Sequence, residues 1–238
     1  MKKSLVCLSV LSSLVGVAAH AADAPAVTAN LTVTTKYKYR GQDQSNNQEN
    51  VSPAIQGGFD YAWNGFYIGN WNSSIDFEPS SNIEMDFYGG YKGQITPDFG
   101  FDVGVLRYQY PQGAVYNTTE IYGALSWQFV SAKLSYNAGD KYFGFEESRG
   151  NLYADLSANY EVVKGVTLNG HLGYTRLTDD MRAIYGLPSF IDYKIGATYD
   201  FGSGFSAAAA YVGANKDGAT EWGDTNKGRF IVSVTKAM

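Results

Sequence analysis

The chain contains very little cysteine and histidine. One cysteine, Cys7, and two histidines, His20 and His171, occur in 238 residues. Cys7 and His20 fall in an N-terminal segment that is expected to be removed, so the rest of the chain has one histidine and no cysteine. Disulfides and thiol chemistry are therefore excluded, and a zinc site is disfavoured because it needs several nitrogen or sulfur ligands. The sequence predicts no metal site and no cofactor.

Long apolar runs and basic charge are also scarce. After the N-terminus, no segment approaches the roughly 18 consecutive apolar residues that a membrane-spanning helix needs. The chain has 18 Lys and Arg against 23 Asp and Glu, and nucleic-acid-binding surfaces are usually basic. The sequence therefore predicts neither spanning helices nor a nucleic-acid partner.

The N-terminus has the organisation of a secretory signal peptide. Lys2 and Lys3 precede an apolar stretch at 5–17, and Ala19-His20-Ala21 follows as an A-x-A cleavage site. We expect cleavage after Ala21, which leaves 16 basic and 23 acidic residues and a net charge of −7. The predicted organisation is a signal peptide at 1–21, a short leader at 22–26 and one all-β domain at 27–238.

Apolar and polar residues alternate along about twelve segments of this domain. In the first segment, Leu31, Val33, Tyr37 and Tyr39 occupy one parity and polar residues the other. Because successive side chains of a strand point to opposite faces, such a segment has one apolar and one polar face. Strands are predicted near 27–40, 52–63, 66–76, 82–92, 99–110, 115–127, 130–138, 150–160, 165–175, 189–200, 205–213 and 227–238.

Short and long connections alternate between these strands. Asn64-Gly65 is a two-residue hairpin signal, whereas polar stretches at 41–51, 138–149, 176–188 and 214–226 are much longer. Outer-membrane barrels have tight turns at one end and longer loops at the other. The pattern predicts an all-β fold, a transmembrane antiparallel up-and-down β-barrel of about 12 strands. A secreted soluble β-sandwich is the alternative fold.

Aromatic residues cluster near the ends of the predicted strands, which favours two rings at the membrane boundaries over ordinary strand propensity. The ring at the short turns comprises Trp63, Tyr91, Phe99, Trp127, Tyr160, Tyr199 and Phe205. The ring at the long loops comprises Tyr37, Tyr39, Tyr108, Tyr110, Tyr136, Tyr174 and Tyr211. The apolar parity changes within the fifth strand, so either a β-bulge lies near Val105-Leu106 or the register is misread.

Four motifs between residues 39 and 92 are more specific. They are Tyr39-Arg40-Gly41-Gln42-Asp43-Gln44-Ser45, Pro53-Ala54-Ile55-Gln56-Gly57-Gly58-Phe59-Asp60-Tyr61, Gly65-Phe66-Tyr67-Ile68-Gly69-Asn70-Trp71 and Glu84-Met85-Asp86-Phe87-Tyr88-Gly89-Gly90-Tyr91. With them, nearly the whole exported chain resembles the TorF family of Gram-negative outer-membrane porins. The resemblance implies an outer-membrane barrel and brings no established substrate or functional residues.

The chain departs from that resemblance at two places. Asp43 stands where the family usually has a hydroxyl residue. The chain ends in Met238, whereas outer-membrane barrels tend to end in an aromatic residue that the barrel-assembly machinery recognises. We therefore expect that machinery as a partner, with either weaker recognition or tolerance of Met238.

The polar parity of the strands predicts which side chains line the lumen. Charges of both signs need water or partners there, because isolated burial is costly, and a narrow water-filled channel is favoured over a paired network. Further charges, including Lys92, Asp102, Asp155, Asp192 and Lys194, share this parity. The selectivity candidates are Lys36, Lys38, Arg40, Asp60, Glu84, Asp86, Arg107, Glu120 and His171.

Lys36, Lys38 and Arg40 are predicted as a ladder on the first strand that holds or steers an anion. The alternative is that they neutralise Glu84, Asp86 or Asp60.

The predicted function is an outer-membrane porin or channel for passive diffusion of small polar solutes, in contact with lipid and lipopolysaccharide. The alternative is a structural or adhesive barrel that acts through its loops. Catalysis is not expected, because a lipase dyad must face the bilayer and His171 has the inward parity. No catalytic residue is predicted.

Overall fold

The computed structural model describes residues 26–45, 50–77, 81–215 and 223–238. The predicted signal peptide at 1–21 and residues 22–25 of the predicted leader lie outside these ranges, so cleavage after Ala21 stays a prediction. Among the described residues, no helix is both long enough and apolar enough to cross a membrane.

Twelve antiparallel strands form one closed barrel, in the order β1-β14-β13-β12-β11-β10-β9-β8-β7-β6-β5-β4. A small separate hairpin contains β2 and β3. The bounds are β1 Ala26–Thr34, β2 Lys38–Tyr39, β3 Gln42–Asp43, β4 Ala54–Trp63, β5 Phe66–Phe77, β6 Ser81–Thr96, β7 Phe99–Gln109, β8 Thr118–Trp127, β9 Val130–Asn137, β10 Leu152–Val163, β11 Val166–Arg176, β12 Phe190–Gly202, β13 Phe205–Ala214 and β14 Arg229–Ala237. The predicted fold class and number of barrel strands are confirmed.

The first and last strands close the barrel. β1 pairs with β4 on one side and with β14 on the other. At this seam the hydroxyls of Thr32 and Thr235 are 2.8 Å apart. Short turns join the strands at the end where β1 begins, called the turn end, and longer connections lie at the opposite end, called the loop end.

The longer connections carry short helices. A 3₁₀ helix spans Ala114–Tyr116, another spans Gly223–Asn226, and an α-helix, α1, spans Asp179–Tyr185. The hydroxyl of Thr178 caps α1 by accepting a hydrogen bond from the Met181 N–H. This helix lies in a segment predicted only as a loop.

The outward face of the barrel is apolar, and its turn-end ring of aromatics is present as predicted. All seven residues of that ring are exposed, for example Trp63 at 51% and Tyr160 at 55%. The loop-end ring is largely wrong: Tyr136 and Tyr174 are exposed, whereas Tyr37, Tyr108 and Tyr110 are buried. Aromatic side chains at the loop end therefore point mainly into the barrel.

Of the two interpretations of the fifth predicted strand, the β-bulge at Val105-Leu106 is wrong and the misread register is right. The pairing of β7 with both neighbours continues through these residues without a register shift. Val103 and Val105 are exposed on the outer face, and Leu106 and Tyr108 are buried inside. Arg107 consequently shares the outward parity of Val105, and its predicted position in the lumen is wrong.

The first barrel strand is shorter than predicted. It ends at Thr34, and the chain then leaves the wall. Lys36, Lys38 and Arg40 therefore do not form a ladder on a barrel strand. They belong to residues 35–45, which fold into the barrel and are called the inserted loop.

Candidate functional site

The inserted loop is held as a tight hairpin. Lys38 pairs with Asp43 and Tyr39 with Gln42 in the β2–β3 ladder. Arg40 and Gly41 form the turn, with φ values of 46° and 74°. A Cβ at position 41 would lie 2.5 Å from the carbonyl oxygen of Gly213 on β13, so the tip of the loop touches the barrel wall where only glycine fits.

Asp43 is the centre of the charges in this hairpin. Its carboxylate lies 2.8 Å from Lys38 Nζ and 3.3 Å from Lys36 Nζ, and Arg229 Nε of β14 is 3.9 Å away. The Lys36, Lys38 and Asp43 side chains have no exposed surface. Burial lowers the pKa of Lys38 to about 8, and the nearby Asp43 carboxylate opposes this shift.

Arg40 connects the loop to the opposite wall. Its guanidinium donates to both Glu120 oxygens, with Nη1–Oε1 at 2.9 Å and Nη2–Oε2 at 2.8 Å. It also donates to the Tyr142 hydroxyl at 2.8 Å and lies 3.9 Å from the ring centroid of Tyr153. Such bidentate and stacked contacts use the planar form of arginine and fix its position.

A cluster of aromatic side chains surrounds the inserted loop. The hydroxyls of Tyr37 and Tyr110 each donate to a different oxygen of the buried Glu84 at 2.8 Å. Tyr39 packs edge-on against Tyr108. The wider cluster contains Tyr37, Ala54, Trp71, Ile75, Leu106, Tyr108, Tyr110 and Tyr122. Tyr108 of β7 and Tyr110, which follows the strand, therefore support the loop.

The charges of the inserted loop are neutralised, as the alternative interpretation expected, but by different carboxylates. The partners are Asp43 and Glu120 rather than Glu84, Asp86 or Asp60. Asp60 accepts a hydrogen bond from the Tyr88 hydroxyl at 2.6 Å. Asp86 is buried, and its Oδ1 has no hydrogen-bond partner among the described residues.

Arg107 lies away from this assembly on the outer wall. Its Nη1 donates to the Thr119 hydroxyl at 2.8 Å. Thr119 is the β8 residue directly opposite Arg107 and shares its outward parity. Arg107 is therefore not a lumen-lining selectivity residue.

His171 faces inward on β11, as predicted, and lies between two carboxylates. Nδ1 is 2.8 Å from Asp155 and Nε2 is 2.6 Å from Asp192. Ser157 Oγ is 3.2 Å from Nδ1 but donates to Asp155. A ring that donates from both nitrogens has no lone pair to accept a serine proton, so this Ser-His-Asp grouping lacks the geometry of a nucleophilic triad.

A cavity of about 70 Å³ lies beside the inserted loop in the lumen. The loop lines it with Lys36, Lys38 and Arg40, and the wall contributes His171 and Lys194. This volume admits several water molecules or one small solute. Lys194 was predicted to face the lumen but was not among the selectivity candidates.

The structure thus brings Lys36, Lys38, Arg40, Glu84 and Glu120 together at the loop end. It also shows partners that the sequence reasoning missed, chiefly Asp43, Tyr142 and Tyr153. Asp43 is itself a signal in the sequence, because it is a charge in the Tyr39–Ser45 motif at a position where the TorF resemblance leads us to expect a hydroxyl residue. Within the described ranges, no group of three or more His, Cys, Asp or Glu side chains is arranged to hold a metal ion.

The chain matches one protein-family model, and its barrel is similar to solved porin structures. Residues 18–238 match a family model described as a bacterial protein of unknown function, Gcw_chp. No curated protein sequence matches. The KdgM porin structure has a TM-score of 0.58 at 12% identity, covering 88% of this chain and 98% of that one.

Two further solved structures are similar. A KdgM porin in complex with disordered oligogalacturonate has a TM-score of 0.56 at 11% identity, covering 89% of this chain and 98% of that chain. The NanC porin has a TM-score of 0.53 at 12% identity, with the same coverage of both chains. At these identities the likeness establishes the barrel fold.

Proposed function

The chain belongs to the Gcw_chp family of bacterial proteins, and we propose that it is a porin-like channel of the outer membrane for passive diffusion of small polar solutes. The observation that carries the proposal is the division of the barrel wall into an apolar outer face and a charged inner face. A wall of this kind suits a protein with lipid outside and solvated solute inside.

The outer face supports the membrane location. Phe59, Val103, Leu134 and Leu172 are each at least half exposed on four different strands, which would be costly in water and is favourable in lipid. The turn-end ring of aromatics matches a membrane boundary. Lipid and lipopolysaccharide are thus the proposed surroundings, reached by export through the signal peptide and insertion by the barrel-assembly machinery.

The inner face supports a narrow and selective passage. The inserted loop and its aromatic cluster occupy the loop-end part of the lumen, so a solute must pass beside them. Lys36, Lys38 and Arg40 are held by Asp43 and Glu120, and we assign them to the framework of this constriction. The KdgM porin, a barrel of this fold, was solved in complex with disordered oligogalacturonate, which is a precedent for a complex between such a barrel and a solute.

Conductance of the purified protein in planar bilayers tests the proposal. We expect stepwise channels, and we expect proteoliposomes to admit small sugars and organic acids but exclude larger oligosaccharides. A difference in gel migration between the unboiled and the boiled protein verifies that the barrel is folded. Folded protein that produces neither channels nor solute uptake would contradict the channel function.

A structural or adhesive barrel is the second candidate. The observation in its favour is the filling of the loop-end lumen by the inserted loop, Trp71 and Tyr110. Such a barrel would be folded and silent in bilayers, and its loops would bind lipopolysaccharide or a cell surface. We do not propose an enzyme, because Asp155 and Asp192 take both ring nitrogens of His171.

A further inference from the structure

The cavity beside the inserted loop has two chemically different parts. Lys194 of β12 and His171 of β11 form its polar part. On the neighbouring strands, Ala208, Ala210 and Val212 of β13 and Ile231 of β14 line the cavity with apolar groups. A site with one polar corner and one apolar wall fits a solute that has the same two parts.

Most cations around the cavity already have a carboxylate partner. Lys36 and Lys38 contact Asp43, Arg40 contacts Glu120, and His171 contacts two carboxylates. Lys194 has no ion pair or hydrogen bond with any of the described residues. Its ammonium is the charge in this cavity that can take an anion without losing an existing partner.

The Asp192 carboxylate, which lies on the same strand as Lys194, is already engaged by other side chains. Lys194 pairs in register with His171 on β11 and with Val212 on β13. Asp192, two residues earlier on the same strand, lies 2.6 Å from His171 and accepts a hydrogen bond from Tyr153 at 3.2 Å. The geometry therefore directs Lys194 toward the cavity.

We propose that this cavity binds a short-chain carboxylate, with its carboxylate on Lys194 and its alkyl part against Ala208, Ala210, Val212 and Ile231. The inference rests on the proposed channel function, and it names the class of solute that the lumen retains. A cavity of about 70 Å³ suits acids of two to four carbons. The apolar wall favours butyrate over an inorganic anion, which cannot use it.

Saturation-transfer NMR with butyrate and the refolded protein in deuterated detergent tests this site without requiring conductance. We expect a butyrate signal with the wild type and with Lys194→Arg. Lys194→Gln should weaken butyrate binding about ten-fold or more, because it removes a charge-assisted hydrogen bond. Ala210→Leu should weaken butyrate binding more than acetate binding, since it fills the apolar wall.

Lys133→Gln is the matched control. Lys133 also faces the lumen but lies on β9, with its ammonium 4.0 Å from the Tyr122 ring centroid, and its loss should leave butyrate binding unchanged. No butyrate signal with the wild type would overturn the site. Equal binding by folded Lys194→Gln, or an equal loss in Lys133→Gln, would overturn it as well.

The same proteins separate this inference from the channel function. Butyrate binding without channels in bilayers would leave the site intact and contradict the channel. Channels without butyrate binding would leave the channel intact and contradict the site.

Discussion

Arg40 and Glu120 lie 80 residues apart in the sequence and form a bidentate ion pair inside the barrel. Arg40 is at the tip of the inserted loop, directly after β2. Glu120 is on β8, which is five strands away from β1 around the barrel. One ion pair therefore connects the loop to nearly the opposite wall.

Removing one partner of this pair should be strongly destabilising. Glu120→Gln leaves the buried Arg40 guanidinium without a counter-charge, so the free energy of unfolding should fall by about 3–5 kcal/mol. Urea titration of the protein in lipid vesicles, followed by tryptophan fluorescence, measures this change.

An exposed pair provides the control for that experiment. Arg149 and Asp140 form an ion pair at 2.9 Å with both side chains more than half exposed, so Asp140→Asn should cost less than about 1 kcal/mol. The double variant Arg40→Met with Glu120→Met should recover most of the stability that Glu120→Gln loses. Equal effects of Glu120→Gln and Asp140→Asn would mean that the loop does not depend on the pair.

Alanine at position 41 should displace the inserted loop. Gly41 has φ at 74°, and a Cβ there would lie 2.5 Å from the Gly213 oxygen. Gly186, at the end of α1, has φ at 69°, but its Cβ would meet nothing within 4 Å. Both variants carry the strain of a positive φ, about 1 kcal/mol, and only Gly41→Ala adds a collision.

Gly41→Ala should therefore lower the midpoint of urea unfolding more than Gly186→Ala does. Protease cleavage within residues 35–45 should also become faster in Gly41→Ala alone. Indistinguishable variants would show that the loop tip does not press against β13.

The continuous register of β7 can be tested with single cysteines. A protein produced from residue 22 onward has no cysteine, so nitroxide labels at 105, 106 and 107 report their surroundings directly. Positions 105 and 107 should be accessible to oxygen dissolved in lipid, and position 106 should not. A bulge at Val105-Leu106 would instead give 106 the lipid-facing signal and remove that signal from 107.

Stability should depend on pH through Lys38. Burial lowers the pKa of this ammonium to about 8 in the folded protein, against 10.5 for the ordinary group. The unfolded chain therefore binds more protons than the folded protein between pH 8 and 10.5. The contribution of Lys38 to the free energy of unfolding rises across that window by about 2–3 kcal/mol. Below pH 8 both states are protonated and the contribution is constant.

Lys38→Met is the comparison for this pH dependence. The difference in unfolding free energy between wild type and Lys38→Met should grow in favour of the wild type from pH 8 to pH 10.5. A difference that is constant across the window would contradict the assignment to Lys38.

Much of the barrel wall could be predicted because its signals are local. Asn64-Gly65 marks the turn between β4 and β5, and the structure starts β5 at Phe66 as predicted. β9, at Val130–Asn137, differs by one residue from its predicted end. Alternation with one apolar face and tight turns at fixed places determine such strands residue by residue.

The inserted loop could not be predicted because its causes are distant in sequence. The alternation of Leu31 and Val33 continues through Tyr37 and Tyr39, so nothing local marks the end of β1 at Thr34. The chain turns inward because it finds Glu84 and Glu120 on strands far along the sequence. Alternation cannot reveal these partners.

Aromatic residues gave an ambiguous signal for the same reason. Tyr108 and Tyr174 both lie near a long loop, and tyrosine suits either a membrane boundary or an interior with hydroxyl partners. Only the parity of each residue within its strand separates them. A bulge at Val105-Leu106 would turn Arg107 inward, whereas the continuous register of β7 turns it outward.

The seam between β1 and β14 joins the two ends of the barrel sequence. Thr32 and Thr235, which meet there, are separated by 203 residues. Closing the barrel therefore carries a large loop-closure entropy, and contacts so distant in sequence form slowly. The inserted loop follows β1 directly and is therefore enclosed when that strand docks on β14. We therefore expect closure of the cylinder and filling of its mouth to be a single late step of assembly.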